Sequence, residues 1–109
     1  MRTVVIGANG FIGSNLIKEL IHQKQEVIGI DMKEDHLKEF EKESMFHFCQ
    51  GQVSYDLLKD ILRPDDAVVA LAAKRLSADF NLYDYAENIR LNCEIFQSCI
   101  DCHTTNVVF

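Results

Sequence analysis

Gly7, Gly10 and Gly13 recur at three-residue intervals in Gly7-Ala8-Asn9-Gly10-Phe11-Ile12-Gly13, directly after the apolar run Thr3-Val4-Val5-Ile6. This spacing suits the binding of a phosphate chain by backbone amides. Gly7 is placed to turn a strand sharply into a helix, and Gly10 sits where the backbone must come close to a pyrophosphate. Gly13, one turn in, lets the helix pack tightly on its strand. The amides of the helix start then face the phosphates. Each charge-assisted hydrogen bond there contributes about 1.5–3 kcal/mol, and the helix macrodipole adds about 0.3–1 kcal/mol. About three such bonds carry micromolar binding. The interval departs from Gly-x-Gly-x-x-Gly by one residue at its start, so the loop is longer, and Asn9, tolerant of left-handed backbone, fits it.

A carboxylate completes the pattern. The second apolar run, Val27-Ile28-Gly29-Ile30, ends at Asp31, followed by Met32. A carboxylate about 20 residues beyond the glycines accepts hydrogen bonds from both hydroxyls of an adenosine ribose and repels a 2′-phosphate. This favours NAD over NADP, although Lys33 leaves some tolerance for NADP; the alternative is a solvated strand-end Asp. Between the two runs, Ile12, Leu16 and Leu20 with Ile17 and Ile21 fall on one face of a helix, so a β-α-β unit positions the glycines and the carboxylate together.

The string from Val5 to Ser14 resembles the opening of the extended short-chain dehydrogenase/reductase family, the NAD-dependent epimerases and dehydratases that act largely on nucleotide sugars. Asp66-Ala67-Val68-Val69-Ala70-Leu71-Ala72-Ala73 is similar to that family's fourth strand. Asn88 resembles a family asparagine near the cofactor cleft, and Asn106-Val107-Val108-Phe109 resembles the fifth strand. The likeness runs the whole length of the chain. It implies a Rossmann-like α/β fold, a doubly wound parallel sheet of about five strands in order 3-2-1-4-5 with helices on both faces.

The cofactor residues implied are Gly7, Asn9, Gly10, Phe11, Ile12, Gly13, Asp31 and Met32 at the first turn and second strand, then Gln52 and Val53, Leu71, Ala72 and Ala73, Lys74, and Asn88. The family usually carries an Asp where Gln52 stands, contacting the adenine amino group. A glutamine oxygen accepts from that group as well, but a loop glutamine without a role fits equally. Ala72 and Ala73 keep the small side chains over which the cofactor passes, while Ala70 replaces a frequent family histidine. Lys74 and Arg75 lie at the carboxyl end of the sheet, where they either help neutralise a pyrophosphate or are solvated loop cations. Asn88 either borders the cleft or decorates its helix.

Tyr55-Asp56-Leu57-Leu58-Lys59 spells the family's catalytic Tyr-x-x-x-Lys. In the family that pair follows the fifth strand, whereas here it follows the third and is expected near the adenine end, away from hydride chemistry. The family's substrate-orienting Ser or Thr, its catalytic Tyr and Lys and most of its substrate domain lie beyond the fifth strand. No catalytic residue is therefore assigned, and the chain alone is not expected to turn over a sugar nucleotide.

Composition sets the outer bounds. The chain has 109 residues, so a single NAD(P)-binding domain is expected, incomplete at its carboxyl end. A net charge of −6 argues against nucleic acid or an anionic membrane as main partner. No targeting segment is expected, because the first strand begins by about Thr3, and no apolar run approaches a membrane span. A cytoplasmic protein is the expectation. Cys99-x-x-Cys102 with His103 invites a metal reading, but only one such pair exists and it ends a helical pattern. Cys49, Cys93, Cys99 and Cys102 are expected as reduced thiols with no metal site.

Along the remaining chain, apolar runs alternate with helical patterns, as in a parallel sheet covered by helices. A short polar helix is expected over 34–42 with Leu37 and Phe40 inward, a third strand over 45–49, and a helix over 55–62 with Leu57, Leu58, Ile61 and Leu62 inward. A buried strand follows over 67–73. A long helix from about Phe80 to Cys102 is expected to turn Ala86, Ile89, Cys93, Phe96 and Ile100 to the core. The fifth strand would be an unpaired apolar edge, inviting a homodimer or a partner chain. Three functions fit: the NAD-binding segment of an epimerase/dehydratase-type oxidoreductase, a non-enzymatic dinucleotide-sensing or interaction module, and a remnant whose loop binds nothing.

Overall fold

The computed structural model describes residues 1–73 and 78–109. Its centre is β1 (Arg2–Ile6), every residue of which is buried. Burial on both faces is what a near-continuous apolar run demands of a central parallel strand. It is followed by α1 (Phe11–His22), β2 (Glu26–Asp31), a single 3₁₀ turn (Lys38–Phe40), β3 (Phe46–Gln50), α2 (Tyr55–Ile61), β4 (Ala67–Ala70), α3 (Leu82–Asp101) and β5 (Asn106–Val108). The strands form one sheet in order β3-β2-β1-β4-β5, and all four pairings are parallel. The chain is a Rossmann-like doubly wound fold, as the family resemblance implies.

Strand alternation divides the core into two layers. Val5 and Val27 join Phe46, Ala8, Ile17, Leu37 and Phe40 on the face that α1 covers. Val4, Ile6, Ile30 and Val68 join Leu58 of α2 and Ile95 and Cys99 of α3 on the other. Ile17 and Leu58 are fully buried, and each such side chain contributes about 1.5–3 kcal/mol. Sheet order reverses between β1 and β4, and the crevice at their carboxyl ends is where ligands enter such sheets.

Several elements depart from the sequence reading. The helix expected over 34–42 is only the 3₁₀ turn, although Leu37 and Phe40 point inward as anticipated. The fourth strand stops at Ala70 instead of Ala73. Leu71 still donates its N–H to the Ile6 carbonyl at 2.8 Å, and the chain then bends over the glycine loop. The largest difference is the orientation of α3. Cys93 and Ala86 are exposed, as are Ile89, Phe96 and Ile100 at 64%, 48% and 65%. The buried residues are Asp84, Ile95, Ser98 and Cys99. At about 3.6 residues per turn, two stripes lie on opposite sides of this helix, and the more polar one faces inward. Its polar members are satisfied locally: Ser98 Oγ donates to the Glu94 and Ile95 carbonyls, and Asp84 accepts from the Asn81 N–H in a capping box.

At the amino end of the sheet, opposite the crevice, lies a buried ion pair that the sequence pattern did not signal. Arg2 Nε donates to Asp66 Oδ1 at 2.9 Å, and Nη2 donates to Oδ2 at 2.7 Å and to the Ile61 carbonyl at 2.7 Å. The Arg63 N–H also donates to Asp66 Oδ2. Hydrogen bonding to Asp66 holds the guanidinium pKa above its usual value. Among the described residues, no helix is long and apolar enough to cross a membrane.

Candidate functional site

The glycine loop begins where β1 leaves the sheet. Gly7 has φ +87°, and a Cβ there would lie 2.7 Å from the Ala72 nitrogen. Both backbone sign and space therefore require glycine. Gly13 packs still more closely, since a Cβ on it would sit 2.4 Å from the Gly7 carbonyl oxygen and 2.9 Å from that of Ala8. Gly10 is different. Its φ of −73° and ψ of 172° suit any residue, and a Cβ there would meet nothing closer than 3.5 Å. The fold needs Gly7 and Gly13, but a side chain at position 10 would extend into open space at the crevice.

The start of α1 is open as well. The N–H groups of Phe11, Ile12 and Gly13 precede the first i→i−4 bond, which Ser14 makes to the Gly10 carbonyl at 2.9 Å. No side chain caps this helix and no acidic residue lies in its first turn. By contrast, α2 is capped by Ser54 and α3 by Asn81. Uncapped amides plus the positive end of a helix macrodipole suit an anion.

These groups open into a cleft of about 720 Å³. The glycine loop and first turn contribute Gly7, Gly10, Phe11, Ile12 and Gly13. The ends of β2 and β3 contribute Asp31, Met32, Gln52 and Val53, and the segment after β4 contributes Leu71, Ala72 and Ala73, with Asn88 reaching in from α3. Ile12, placed by periodicity on the inner face of α1, is 65% exposed because the first turn projects past the sheet into the cleft. The sequence reading did not include Ile30, Gly51, Glu87, Arg90 and Leu91, which also line it. For the last three the available signal was helical spacing around Asn88.

Two expected residues stand apart. Lys74 lies outside the described residues, as does Arg75. Asn9 does not line the cleft: its N–H donates to Asp31 Oδ2 at 2.9 Å, and its side-chain oxygen accepts from the His36 N–H at 2.8 Å. Asp31 Oδ1 accepts from the Met32 N–H at 2.7 Å. The carboxylate is thus held by one amide on each oxygen, leaving a lone-pair direction on each. On the opposite wall, Arg90 pairs with Glu87 at 2.9 Å and with Glu94, and these charge partners hold its pKa above the usual value.

Tyr55 and Lys59 lie elsewhere. Tyr55 Oη donates to Asp101 Oδ2 at the far end of α3, and Lys59 Nζ sits 5.5 Å from the centre of the Tyr55 ring. The hydrogen bond to Asp101 raises the Tyr55 pKa above its usual value and lowers that of Asp101. A raised pKa is the opposite of what a catalytic tyrosine base needs. An alkaline absorbance titration is therefore expected to show a tyrosine component ionising above the ordinary tyrosine range, and Tyr55→Phe should remove that component. The sign for stability follows. The Tyr55 contribution is present below the unfolded tyrosine pKa and fades as pH rises through the raised folded value. That of Asp101 is present above the unfolded carboxylate pKa and fades as pH falls through the lowered one. The four cysteines are unpaired. Cys99 is buried, and burial raises its thiol pKa, whereas Cys93 is exposed, contrary to its expected core position. Among the described residues no three His, Cys, Asp or Glu side chains are grouped to hold a metal.

The model of the NAD dependent epimerase/dehydratase family matches residues 3–109. The chain belongs to that family. Among solved structures, UDP-N-acetylglucosamine 4-epimerase from Bacillus cereus is 20% identical with a TM-score of 0.77, over 98% of this chain and 38% of that one. UDP-glucuronic acid 4-epimerase from Bacillus cereus in complex with NAD is 26% identical with a TM-score of 0.74, over 95% of this chain and 37% of that one. dTDP-glucose 4,6-dehydratase from Bacillus anthracis in complex with NAD is 20% identical with a TM-score of 0.77, over 93% and 34%. The chain thus spans less than two fifths of each of these epimerases and dehydratases.

Proposed function

We propose that residues 1–109 form a single dinucleotide-binding unit that holds NAD in the cleft, as the cofactor-binding segment of an oxidoreductase of the epimerase/dehydratase type acting on nucleotide sugars in the cytoplasm. The observation that carries this is the combination of an uncapped α1 amino end with a Gly10 that the fold does not require. The residues fit the cofactor. The amides of Phe11, Ile12 and Gly13 would take the pyrophosphate, Gly7 and Gly10 leave room for it, and Asp31 would take the adenosine ribose hydroxyls. Gln52, with Val53 and Met32, would border the adenine. Leu71, Ala72, Ala73 and Asn88 would line the path toward the nicotinamide, with Lys74 assigned to the phosphates. The carboxylate at Asp31 favours NAD over NADP, because a 2′-phosphate beside it would meet like charge. NAD, when bound, supplies hydride acceptance and return; the substrate-orienting and proton-shuttling groups are assigned to segments outside residues 1–109.

The test is a melting curve with millimolar NAD, NADH or NADPH. A micromolar site is expected to add about 4 kcal/mol of stability. A shift with NAD or NADH and little with NADPH supports the reading; no shift with any of them favours the remnant.

A second reading, a dinucleotide-sensing or interaction module, draws on the outer face of α3. There Ile89, Phe96 and Ile100 are exposed next to the short β5 edge, and Phe96 stacks on Phe109 with ring centres 4.2 Å apart. A homodimer or a partner chain at this edge would cover it. Sedimentation is expected to show self-association that Phe96→Glu abolishes. A monomer at all concentrations would argue for a different partner chain.

A further inference from the structure

We infer that His36 is a positioning residue for the dinucleotide, acting through Asn9 on the Asp31 carboxylate. The inference rests on the reading of the cleft as an NAD site and deepens it.

Two segments far apart in sequence meet here, the glycine loop at Asn9 and the end of β2 with its following loop, Asp31 to His36. The His36 N–H donates to Asn9 Oδ1 at 2.8 Å, and His36 Nδ1 lies 3.0 Å from the Asn9 carbonyl oxygen. A carbonyl oxygen can only accept, so the ring proton sits on Nδ1 and the histidine clamps Asn9 twice. Asn9 in turn donates its own N–H to Asp31 Oδ2 at 2.9 Å. The residue at position 9 therefore reaches the ligand indirectly, and its side chain is turned away from the cleft that its neighbours Gly10 and Phe11 line. Asparagine suits this position because it offers a side-chain acceptor and a backbone acceptor to one partner. The loop after β2 supplies that partner with both a main-chain and a ring donor.

The consequence is orientational. Met32 N–H holds Asp31 Oδ1 from the carboxylate's own loop, and Asn9 holds Oδ2 from the glycine loop. With both amides in place, the free lone pairs of the two oxygens lie in a fixed plane that presents them together to a vicinal diol. Losing the His36 ring removes the hold on the Asn9 carbonyl and loosens the aim of the Asn9 N–H at the carboxylate, while the main-chain bond from position 36 to Asn9 Oδ1 remains. A carboxylate free to turn retains its charge but loses the pairwise match to the two ribose hydroxyls. His36 is exposed and contributes nothing to the two core layers, so its replacement should leave the fold alone.

The readout is a ratio. Binding of ADP and of 2′-deoxy-ADP is measured by calorimetry on the whole chain, together with NAD. Wild type is expected to prefer ADP by about tenfold, the value of one hydrogen bond to a charged group. His36→Ala and Asn9→Ala should each bring that ratio below about threefold without lowering the melting temperature of the unliganded protein. His36→Asn, whose amide nitrogen can stand where Nδ1 stands, should restore it. A ratio unchanged in His36→Ala, or an equal loss for both nucleotides, overturns the inference. If wild type binds neither ADP nor NAD, the cofactor reading fails and the inference with it. Normal wild-type NAD binding with an unmoved ratio in the variants leaves the cofactor reading standing and removes only the role of His36.

Discussion

Gly10→Val is expected to fold normally and to lose the thermal stabilisation by NAD, whereas Gly13→Val is expected to lower the melting temperature sharply even without ligand. The two positions look equivalent in sequence, three residues apart in one repeat. Around Gly13, a Cβ would overlap two backbone carbonyl oxygens at 2.4 and 2.9 Å. Neither can move without lifting α1 off β1 or reshaping the turn at Gly7. Overpacking of this kind costs about 3 kcal/mol or more even after the helix-propensity gain of removing a glycine. For a domain of this size that is roughly a 15 °C fall in melting temperature. Gly10 has extended backbone and open space. A branched side chain there meets only what sits against the uncapped amides, so the whole of the roughly 4 kcal/mol that millimolar NAD would add at micromolar affinity should vanish. Melting curves of both variants with and without NAD decide it. If Gly10→Val kept the NAD shift, the pyrophosphate could not lie over that residue.

Asp66→Ala is expected to destabilise the chain by about 3–5 kcal/mol, because it leaves the Arg2 guanidinium buried without its carboxylate. Arg2 and Asp66 are 8% and 1% exposed. The aspartate also accepts the Arg63 N–H, so one substitution removes three hydrogen bonds at the amino ends of β1 and β4. A large share of the total stability of a small domain, about 5–15 kcal/mol, is then at stake. The double variant Arg2→Met, Asp66→Leu removes both charges and should recover much of the loss. Urea denaturation of the two variants checks both statements. A single variant within about 1 kcal/mol of wild type would mean that water reaches the pair. NAD binding should survive in the double variant, since the pair lies at the opposite end of the sheet from the cleft.

Much of the fold was legible because its signals are local. Thr3 to Ile6 forms a run buried on both faces, and Gly7 and Gly13 follow where the strand-to-helix turn requires them. Alternation of strands and helices pointed to a parallel sheet covered by helices, and the strand order came from the resemblance to the extended short-chain dehydrogenase/reductase family. The residues of the cleft were legible for the same reason: Gly10, Phe11 and Asp31 sit at ends of elements, where position along the chain dictates position in space. Glu87, Arg90 and Leu91 lie in mid-helix, where the rotation of the helix decides what they face and spacing from Asn88 was the one pointer to the cleft.

That rotation could not be read from periodicity. Helix α3 carries one stripe at Ile89, Cys93, Phe96 and Ile100 and another at Leu91, Ile95, Cys99 and Cys102, and the more apolar stripe is the exposed one. Hydrophobicity ranks faces by transfer from water. Which face is buried here also depends on fit against Leu58, Leu62 and Val68, and on hydrogen bonds within the helix that let Ser98 and Asp84 go inside. The ion pair of Arg2 with Asp66 and the clamp of His36 on Asn9 were invisible for a related reason. Each joins residues far apart in the chain, 64 and 27 positions respectively, and no local pattern of charge or spacing marks a partner at that range. The sequence by itself determined the run of the five strands, the three main helices and the place of the glycine loop, because those follow from backbone sterics and burial period, while the sheet order was implied by the family resemblance. Only the tertiary structure decided which glycine the fold can spare, which side of α3 meets the core and what holds Asp31 in place, because each depends on distances between segments that sequence does not contain.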